Sequence, residues 1–278
     1  MAGKRQFTIA HSPDADDAFM FYALATHKVE SDLLDFRHVL QDIQSLNQDA
    51  REGRYDMTAI SYHAYPYVAG RYVLTAAGSS VGDGYGPVIV ASQRLQPGGL
   101  AGAKVAVPGL LTTAYLALKL YEPEIQPVIC GFDKIIDAVE SGAVDAGVVI
   151  HEGQLTFADE GLHCVVDLGE WWKRTEGLPL PLGCNCILRD LPTEIQQEAR
   201  RKLAETIQYS LDHRAEALDY ALQFSRGLER GLADKFVGMY VNSHTTSMDP
   251  QVLAAGQLLL DKGFSAGLIA RQVRLEYV

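Results

Sequence analysis

Short apolar segments alternate with longer amphipathic segments along the first third of the chain. The apolar segments have the length and β-branched content of buried strands, whereas the amphipathic segments repeat apolar residues with helical spacing. The predicted strands are 7–10, 34–40, 57–60, 72–75 and 88–91, and the predicted helices are 16–27 and 43–53. This alternation is typical of a mostly parallel sheet covered by helices. The glycine-rich segment 78–86 is expected to be a flexible connection.

The same alternation starts again after a turn at 96–99, with strands at 104–107, 128–130 and 146–150 and helices at 112–121 and 132–141. A proline- and leucine-rich segment, 179–183, then leads to a strand at 185–188 and to helical segments at 193–225, 231–241 and 250–262. We expect these last helices to pack back on the first unit. The chain would then cross twice between two lobes.

The pattern therefore predicts an α/β protein with two lobes and a hinged ligand cleft between them. The predicted larger lobe consists of residues 1–92 and 186–278, and the smaller lobe of residues 93–185.

The charge and the apolar content of the chain limit the classes of partner that this protein is expected to bind. The 278 residues include 24 Lys and Arg against 35 Asp and Glu, for a formal net charge of -11. Such a balance argues against a nucleic-acid partner, which would need a basic face to neutralise phosphates. No apolar run approaches the roughly 18 residues of a membrane span, and the first ten residues lack the apolar stretch of a secretory signal. We expect a cytoplasmic protein with a small-molecule ligand, whose oligomeric state the sequence does not indicate.

The four cysteines, Cys130, Cys164, Cys184 and Cys186, do not have the spacing of a metal site. One residue separates Cys184 from Cys186, whereas zinc and redox pairs usually have two or more between them. The alternation of a strand places both on one face. Buried thiols are therefore favoured over ligands, and no metal is predicted.

His151 is the strongest candidate for a chemical group, because it ends the apolar run Val148-Val149-Ile150. The carboxyl ends of strands form the ligand crevice of open α/β sheets. Histidine titrates near neutrality and can accept a proton from a substrate hydroxyl as a general base. Alternatively, His151 only hydrogen-bonds a helix end or a neighbouring carbonyl.

Two further strand-to-helix junctions carry hydroxyl groups. Thr112 and Thr113 follow Pro108-Gly109, where free amides and the helix dipole would bind a carboxylate or a phosphate, although a simple N-cap explains them equally well. Ser61 and Tyr62 follow the third predicted strand. The Ser61 hydroxyl could bind a ligand, but the local pattern favours a cap, and tyrosines such as Tyr62 are more often wall or core residues.

The first junction places Ser12 beside three carboxylates, Asp14, Asp16 and Asp17. Capping by Asp14 or Asp16 explains most of this motif, because negative charge stabilises a helix amino end. A divalent-metal site is the less favoured alternative, since no second acidic cluster accompanies it.

Several of these motifs together resemble the 1,4-dihydroxy-6-naphthoate synthases of the futalosine route to menaquinone. The motifs are Ser12-Pro13 with Asp17, Ser61-Tyr62 with Tyr65, Val107-Pro108-Gly109 with Thr112-Thr113, Ile150-His151-Glu152, Asp167-Leu168-Gly169 with Trp171-Trp172, the segment 177–183, and Tyr240-Val241-Asn242. The resemblance covers most of the chain. Its most specific parts are the histidine-glutamate pair and the proline-leucine segment.

This resemblance implies a two-lobed fold like that of type 2 periplasmic binding proteins. It implies a lyase that cleaves cyclic dehypoxanthinylfutalosine, a carboxylated substrate, without a cofactor. The family's catalytic histidine falls on His151, and its ligand-contacting hydroxyls fall on Ser61 and Thr113. With the junction residues, the expected substrate-binding set is Ser12, Ser61, Tyr62, Thr112 and Thr113.

The chain departs from the family at the first junction, where the family usually has Ser-Pro-Cys-Pro-Asn-Asp-Thr and this chain has the segment 12–18 with Asp14 and Asp16. Two additional carboxylates would disfavour an anionic substrate by several tenths to a few kcal/mol. A related substrate is therefore an alternative. The same fold also serves non-catalytic solute-binding proteins, and a chorismate dehydratase is a third candidate, but the His151-Glu152 pair and the segment 179–183 favour the synthase.

Overall fold

A computed structural model of the chain describes residues 3–96, 98–225, 227–247 and 250–278. Its strands are β1 (Arg5–His11), β2 (Leu34–Leu40), β3 (Met57–Ser61), β4 (Tyr72–Leu74), β5 (Ser80–Gly82), β6 (Val88–Ala91), β7 (Lys104–Val107), β8 (Gln126–Ile129), β9 (Ala146–Val149), β10 (His163–Asp167) and β11 (Leu180–Leu188).

Its α-helices are α1 (Ala15–Ala25), α2 (Ile43–Glu52), α3 (Tyr65–Val68), α4 (Thr113–Tyr121), α5 (Ile135–Glu140), α6 (Gly153–Thr156), α7 (Leu168–Glu176), α8 (Thr193–Asp212), α9 (Arg214–Ala221), α10 (Arg230–Tyr240), α11 (Ser243–Thr246) and α12 (Pro250–Ser265). Single 3₁₀ turns occur at Tyr62–Ala64, Phe132–Lys134 and Leu222–Phe224.

The strands form two sheets. The first sheet has the order β2-β1-β3-β11-β4, with β5 also paired to β11. In it β1 is parallel to β2 and β3, whereas β11 is antiparallel to its neighbours. The second sheet has the order β10-β6-β9-β7-β8, with β7 parallel to β8 and β9 and with β6 and β10 antiparallel. The predicted α/β fold with two lobes is confirmed.

Two large apolar clusters form most of the hydrophobic core of the lobes. In the first, α1 is buried on almost every side, and Phe19 packs with Ile207 of α8 and Phe236 of α10. The carboxyl-terminal helices therefore return to the first sheet, as predicted. The second cluster extends from the first sheet to the second and includes Ile60 of β3, Val105 of β7 and Leu259 of α12. Hydrocarbon packing thus joins the two lobes directly.

The sheets divide the chain differently from the predicted lobes. The strand Val88–Ala91, assigned to the larger lobe, pairs with β9 and β10 in the second sheet. Residues 180–185, assigned to the smaller lobe, belong to β11 in the first sheet. The chain therefore passes between the sheets at 83–87 and 177–179. Strand partners are determined by pairing between distant segments, which local hydrophobic periodicity does not report.

The segment predicted as a flexible connection contains β5, which pairs with β11. The prediction for 193–225 as one helix was also wrong, because α8 ends before His213 and α9 begins after it. The backbone of His213 leaves the helical region, with φ -113° and ψ 42°, and its ring stacks on Tyr209 with centroids 3.9 Å apart. The elements α7 and β10 were not predicted.

Cys184 and Cys186 are buried, and their thiols point at the carbonyls of Ile60 and Thr58. The predicted thiol burial is confirmed. Within the described residues, no helix combines the length and the apolar character needed to cross a membrane.

The crossing segment 83–87 packs against the start of α7, backbone against backbone. The Leu168 amide donates to the carbonyl of Pro87 at 2.9 Å. A Cβ at Gly169 would overlap the carbonyl of Tyr85. The contact therefore requires glycine, and it lies where the chain passes from one lobe to the other.

Replacing Gly169 by Ala should lower the free energy of unfolding by about 1–3 kcal/mol, because the added methyl group has no room to form. Gly70→Ala is the matched control, since a Cβ there meets nothing within 4 Å. Urea unfolding of both variants measures the effect. Equal stability of the two variants would contradict the close packing of the segment 83–87 against the start of α7.

Candidate active site

A cavity lies between the two lobes, with about 760 Å³ of empty space that is partly continuous with solvent. Small-molecule sites commonly lie in such clefts between lobes. Its wall contains four of the predicted residues, namely Ser12, Ser61, Thr112 and Thr113. The other wall residues are Asp14, Asp16, Asp17, Ile43, Ala59, Ile60, Gly78, Ser80, Pro87, Ala114, Ile150, Gln154, Leu182, Gly183, Cys184, Asn185 and Tyr240.

Ser61 ends β3 and is buried in the cavity wall. Its hydroxyl accepts a hydrogen bond from Asn47 Nδ2 at 3.0 Å, and its amide donates to Asn47 Oδ1 at 2.8 Å. The side chain makes no capping hydrogen bond to the following turn, so the favoured capping alternative does not hold. Instead, the amide of Asn47 orients the Ser61 hydroxyl.

Thr112 and Thr113 divide the two roles that the sequence left open. Thr112 is the N-cap of α4, and its hydroxyl accepts from the amide of Tyr115 at 3.2 Å. The Thr113 hydroxyl instead donates to the carbonyl of Leu182 at 2.7 Å. Since Thr112 satisfies the amide of Tyr115, the amides of Thr113 and Ala114 are the ones left without intrahelical partners at this end of α4. This end of the cavity is suited to an anion.

The carboxylates of the first junction do not cap α1. Its N-cap residue, Asp14, makes no side-chain capping bond and instead accepts from the Ser12 hydroxyl at 2.6 Å. Asp17 reaches back and accepts from the Ser12 amide at 2.7 Å. Across the described ranges, no set of three or more His, Cys, Asp or Glu side chains is arranged to hold a metal ion.

The clustering of these acids changes their protonation. Burial raises the pKa of Asp16 well above its usual range, and the nearby charges of Asp17, Asp14 and Glu152 raise it further. Burial also raises the pKa of Asp17 to about 7, although the Ser12 amide opposes that shift. The cluster therefore holds protons more readily than separate carboxyls would, and it carries less negative charge than its composition suggests.

His151 lies beside the cavity rather than in its wall. Its Nδ1 accepts from the amide of Gly153 at 3.0 Å, so Nε2 carries the ring proton and donates to the carbonyl of Phe132 at 3.1 Å. Its side chain is 12% exposed, and Nδ1 is 3.9 Å from Glu152 Oε2. In this conformation the imidazole is neutral, and both nitrogens are engaged by backbone groups of the smaller lobe.

Tyr62 is placed in the core rather than in the cavity wall. The residue is fully buried, and its hydroxyl lies 3.3 Å from Ser79 Oγ. Burial raises the pKa of the Tyr62 phenol well above its usual range. Tyr62 was expected to contact the substrate from the cavity wall, whereas the structure places it in the core.

Several hydrogen bonds join the two lobes around the cavity, including those that His63 makes with Thr112 and Thr113. Thr113 of α4 also donates to Leu182 of β11, as described above. The Tyr240 hydroxyl donates to Gln154 Oε1 at 2.7 Å. The Ala15 amide at the start of α1 donates to Glu152 Oε1 at 3.4 Å. The structure thus has the lobes in contact around the cavity.

Comparison with known proteins assigns this arrangement to a family. The sequence model of the menaquinone biosynthesis family matches residues 7–265. The chain belongs to this family. A relative from Thermus thermophilus, named 1,4-dihydroxy-6-naphthoate synthase, is 38% identical over 270 residues, which are 97% of this chain and 98% of the relative. A protein of the same name from Streptomyces coelicolor is 33% identical over 268 residues, 94% of each chain.

Solved structures agree with this assignment. Protein AF1704 of Archaeoglobus fulgidus superposes with a TM-score of 0.92 and 48% identity, covering 95% of this chain and 98% of its own. The alkanesulfonate-binding protein SsuA of Xanthomonas axonopodis pv. citri superposes with a TM-score of 0.75 at 16% identity, covering 99% and 98%. The second similarity shows the fold alone, and it confirms the predicted resemblance to periplasmic binding proteins.

Among the wall residues of this member of the menaquinone biosynthesis family that were not predicted as site residues, three have polar side chains at the centre of this arrangement: Gln154, Tyr240 and Asn185. Gln154 and Tyr240 meet only through the folding of distant segments, so the motif that contains Tyr240 does not indicate its partner. Asn185 did carry a signal, because it is an amide between two buried cysteines in an otherwise apolar strand.

Replacing Asp16 by Asn should stabilise the protein increasingly as the pH rises. The raised pKa keeps the folded carboxyl protonated above the pH at which the unfolded chain ionises, near 3.8. Its contribution to stability is therefore complete below that pH and is lost as the pH rises towards the folded pKa. Asn cannot ionise and avoids this loss. The melting temperature of the variant should match that of the wild type near pH 4 and exceed it by a few degrees at pH 8.

Asp159→Asn, at an exposed position, is the control for this series and should follow the wild-type profile at every pH. Thermal unfolding at pH 4, 6 and 8 makes the comparison. An Asp16→Asn variant whose difference from the wild type does not change with pH would refute the shifted ionisation.

Proposed function

We propose that this protein is a carbon-carbon lyase that converts cyclic dehypoxanthinylfutalosine to 1,4-dihydroxy-6-naphthoate. The observation that carries the proposal is the convergence of the Ser61 and Thr113 hydroxyls with the amino end of α4 in one largely apolar cavity. The two curated relatives named 1,4-dihydroxy-6-naphthoate synthase support the same reaction.

The substrate carboxylate would bind at the Ser61 and Thr113 end of the cavity. Ser61 is already oriented by Asn47, and the first amides of α4 offer donors without intrahelical partners. The helix dipole adds a favourable term for a negative charge at this point. The fused rings would then lie against apolar wall residues, namely Ile43, Ala59, Ile150 and Leu182.

The acidic first junction is compatible with an anionic substrate under this proposal. A protonated Asp16 repels a carboxylate far less than an ionised one does, and a carboxylic acid can donate a hydrogen bond. The departure of the segment 12–18 from the family pattern therefore carries a smaller electrostatic penalty than its charge count implies.

His151 would act as the general base. Its Nε2 donates to Phe132 in the present conformation, so the ring must turn from that carbonyl to present a lone pair to the substrate. Glu152, close to the ring, would stabilise the imidazolium that forms. Removal of the hydroxyl proton converts that carbon to a carbonyl as the adjacent carbon-carbon bond breaks. The bonding electrons pass into the ring system, which takes up a proton and becomes the aromatic diol.

His151→Asn should lower turnover of cyclic dehypoxanthinylfutalosine by about 10² or more while leaving affinity for the naphthoate product nearly unchanged. The amide keeps much of the polarity of the ring but cannot serve as a base near neutral pH. Mass spectrometry of the naphthoate formed measures turnover, and fluorescence titration measures product binding. His163→Asn, in β10 and outside the cavity wall, is the matched control and should retain wild-type turnover.

Full turnover by the His151→Asn variant would refute the base assignment alone. A wild-type protein that binds the cyclic substrate and returns it unchanged would instead support a solute-binding role. Release of a dehydrated product from chorismate, with no naphthoate from the cyclic substrate, would replace the proposed reaction by the dehydratase.

A further inference from the structure

We propose that Asn185 determines ligand specificity by accepting a hydrogen bond at Oδ1 from a ring hydroxyl of the bound aromatic acid. The assignment concerns the part of the cavity away from the carboxylate end. It rests on the proposed function only for the identity of the ligand, a hydroxylated naphthoate.

The side-chain oxygen of Asn185 is buried without a partner. Asn185 is 1% exposed and belongs to the cavity wall. Its Nδ2 donates to the carbonyl of Gly78 at 2.8 Å, whereas Oδ1 has no hydrogen-bond partner among the described residues. Because a carbonyl can only accept, the amide nitrogen must face Gly78. This contact settles the orientation of the amide and leaves Oδ1 as the unpaired acceptor.

The backbone on both sides holds this amide in place. Asn185 pairs with Ala59 of β3, and its carbonyl accepts from both the amide and the hydroxyl of Thr75, at 2.9 and 3.0 Å. A Cβ at position 78 would lie 2.5 Å from Asn185 Nδ2, and Gly78 has a φ of +77°. Glycine is thus required at 78 by both the conformation and the amide that it faces.

An acceptor that is left unpaired inside a protein costs folding free energy. The neighbours of Asn185 in β11, Cys184 and Cys186, are buried and packed. An apolar side chain at 185 could fill the same space without that cost. A ligand donor would satisfy the oxygen and recover the lost hydrogen bond, which is the arrangement expected of a binding residue rather than of a core residue.

The position of Asn185 suits a second polar group on a fused ring system. Gly183 is opposite Ser61 in the sheet, and Asn185 is opposite Ala59, so all four residues share the face towards the cavity. Two residues along a strand span about 7 Å and neighbouring strands lie about 5 Å apart, which puts the Cα atoms of Asn185 and Ser61 about 9 Å from each other. A bicyclic acid with its carboxylate near Ser61 can therefore extend a ring hydroxyl towards Asn185.

The test compares two ligands in two proteins. The ligands are 1,4-dihydroxy-6-naphthoate, handled without oxygen, and 2-naphthoate, which has the same rings and carboxylate but no hydroxyl groups. The proteins are the wild type and Asn185→Leu, which has a similar shape but no acceptor. The wild type should prefer the dihydroxy compound by about tenfold, and the variant should lose most of this preference. Within each protein, the binding free energy of one ligand is subtracted from that of the other. This difference cancels the loss of the hydrogen bond to Gly78, because that loss affects both ligands alike.

Ser61→Ala is the matched control at the carboxylate end. It should weaken the binding of both naphthoates by the same factor, because both carry the carboxylate. Asn185→Ser, which is smaller and keeps a polar group, provides a second variant if Asn185→Leu does not fold. Calorimetric titration of each protein with both ligands gives the dissociation constants.

Retention of the full preference by the Asn185 variants, with the wild type binding both ligands, would overturn the Asn185 assignment and leave the proposed function intact. A wild type that binds both ligands equally would have the same meaning. If the wild type binds neither naphthoate, the proposed function fails and the Asn185 assignment fails with it.

Discussion

The antiparallel register between β3 and β11 determines which side chains reach the cleft. It sets Ser61 opposite Gly183 and Ala59 opposite Asn185. Side chains alternate between the faces of a strand, so a shift of β11 by one residue would turn Asn185 away from the cavity and put a cysteine in its place. The oriented Ser61 hydroxyl, the amide acceptor and the apolar floor between them all depend on this pairing.

The ionisation of the acidic residues also determines which ligands the site can bind. Asp14, Asp16, Asp17 and Glu152 come together where the lobes meet, and their mutual repulsion together with burial raises the pKa of Asp16. An acidic entrance would normally repel an anionic ligand, but protonation removes part of that repulsion. Charge counted from the sequence therefore overstates the field that a ligand meets, because the acids are close enough to suppress one another's ionisation.

The sequence was sufficient for the α/β class and the two lobes, since both follow from the periodicity of strands and helices. The strand-to-helix junctions and the family resemblance together indicated Ser61 and Thr113, which the structure brings into one cavity wall. The sequence did not indicate which sheet contains Val88–Ala91, because strand pairing is determined between distant segments. The ring orientation of His151 depends on the carbonyl of Phe132, which no spacing rule connects to it. Tyr62 was predicted to contact the ligand, although the fold buries it. The alternation of apolar and polar residues indicates that a strand has two faces, but it does not indicate which face borders the cavity.

Two kinds of contact hold the lobes together, and they differ in how much free energy their exposure to water would cost. Parting the apolar cluster of Ile60, Val105 and Leu259 would expose hydrocarbon, whereas the contacts of Glu152 with Ala15 and of Gln154 with Tyr240 can be replaced by hydrogen bonds to solvent. Separating the lobes would therefore cost more free energy at the hydrocarbon contact than at these hydrogen bonds.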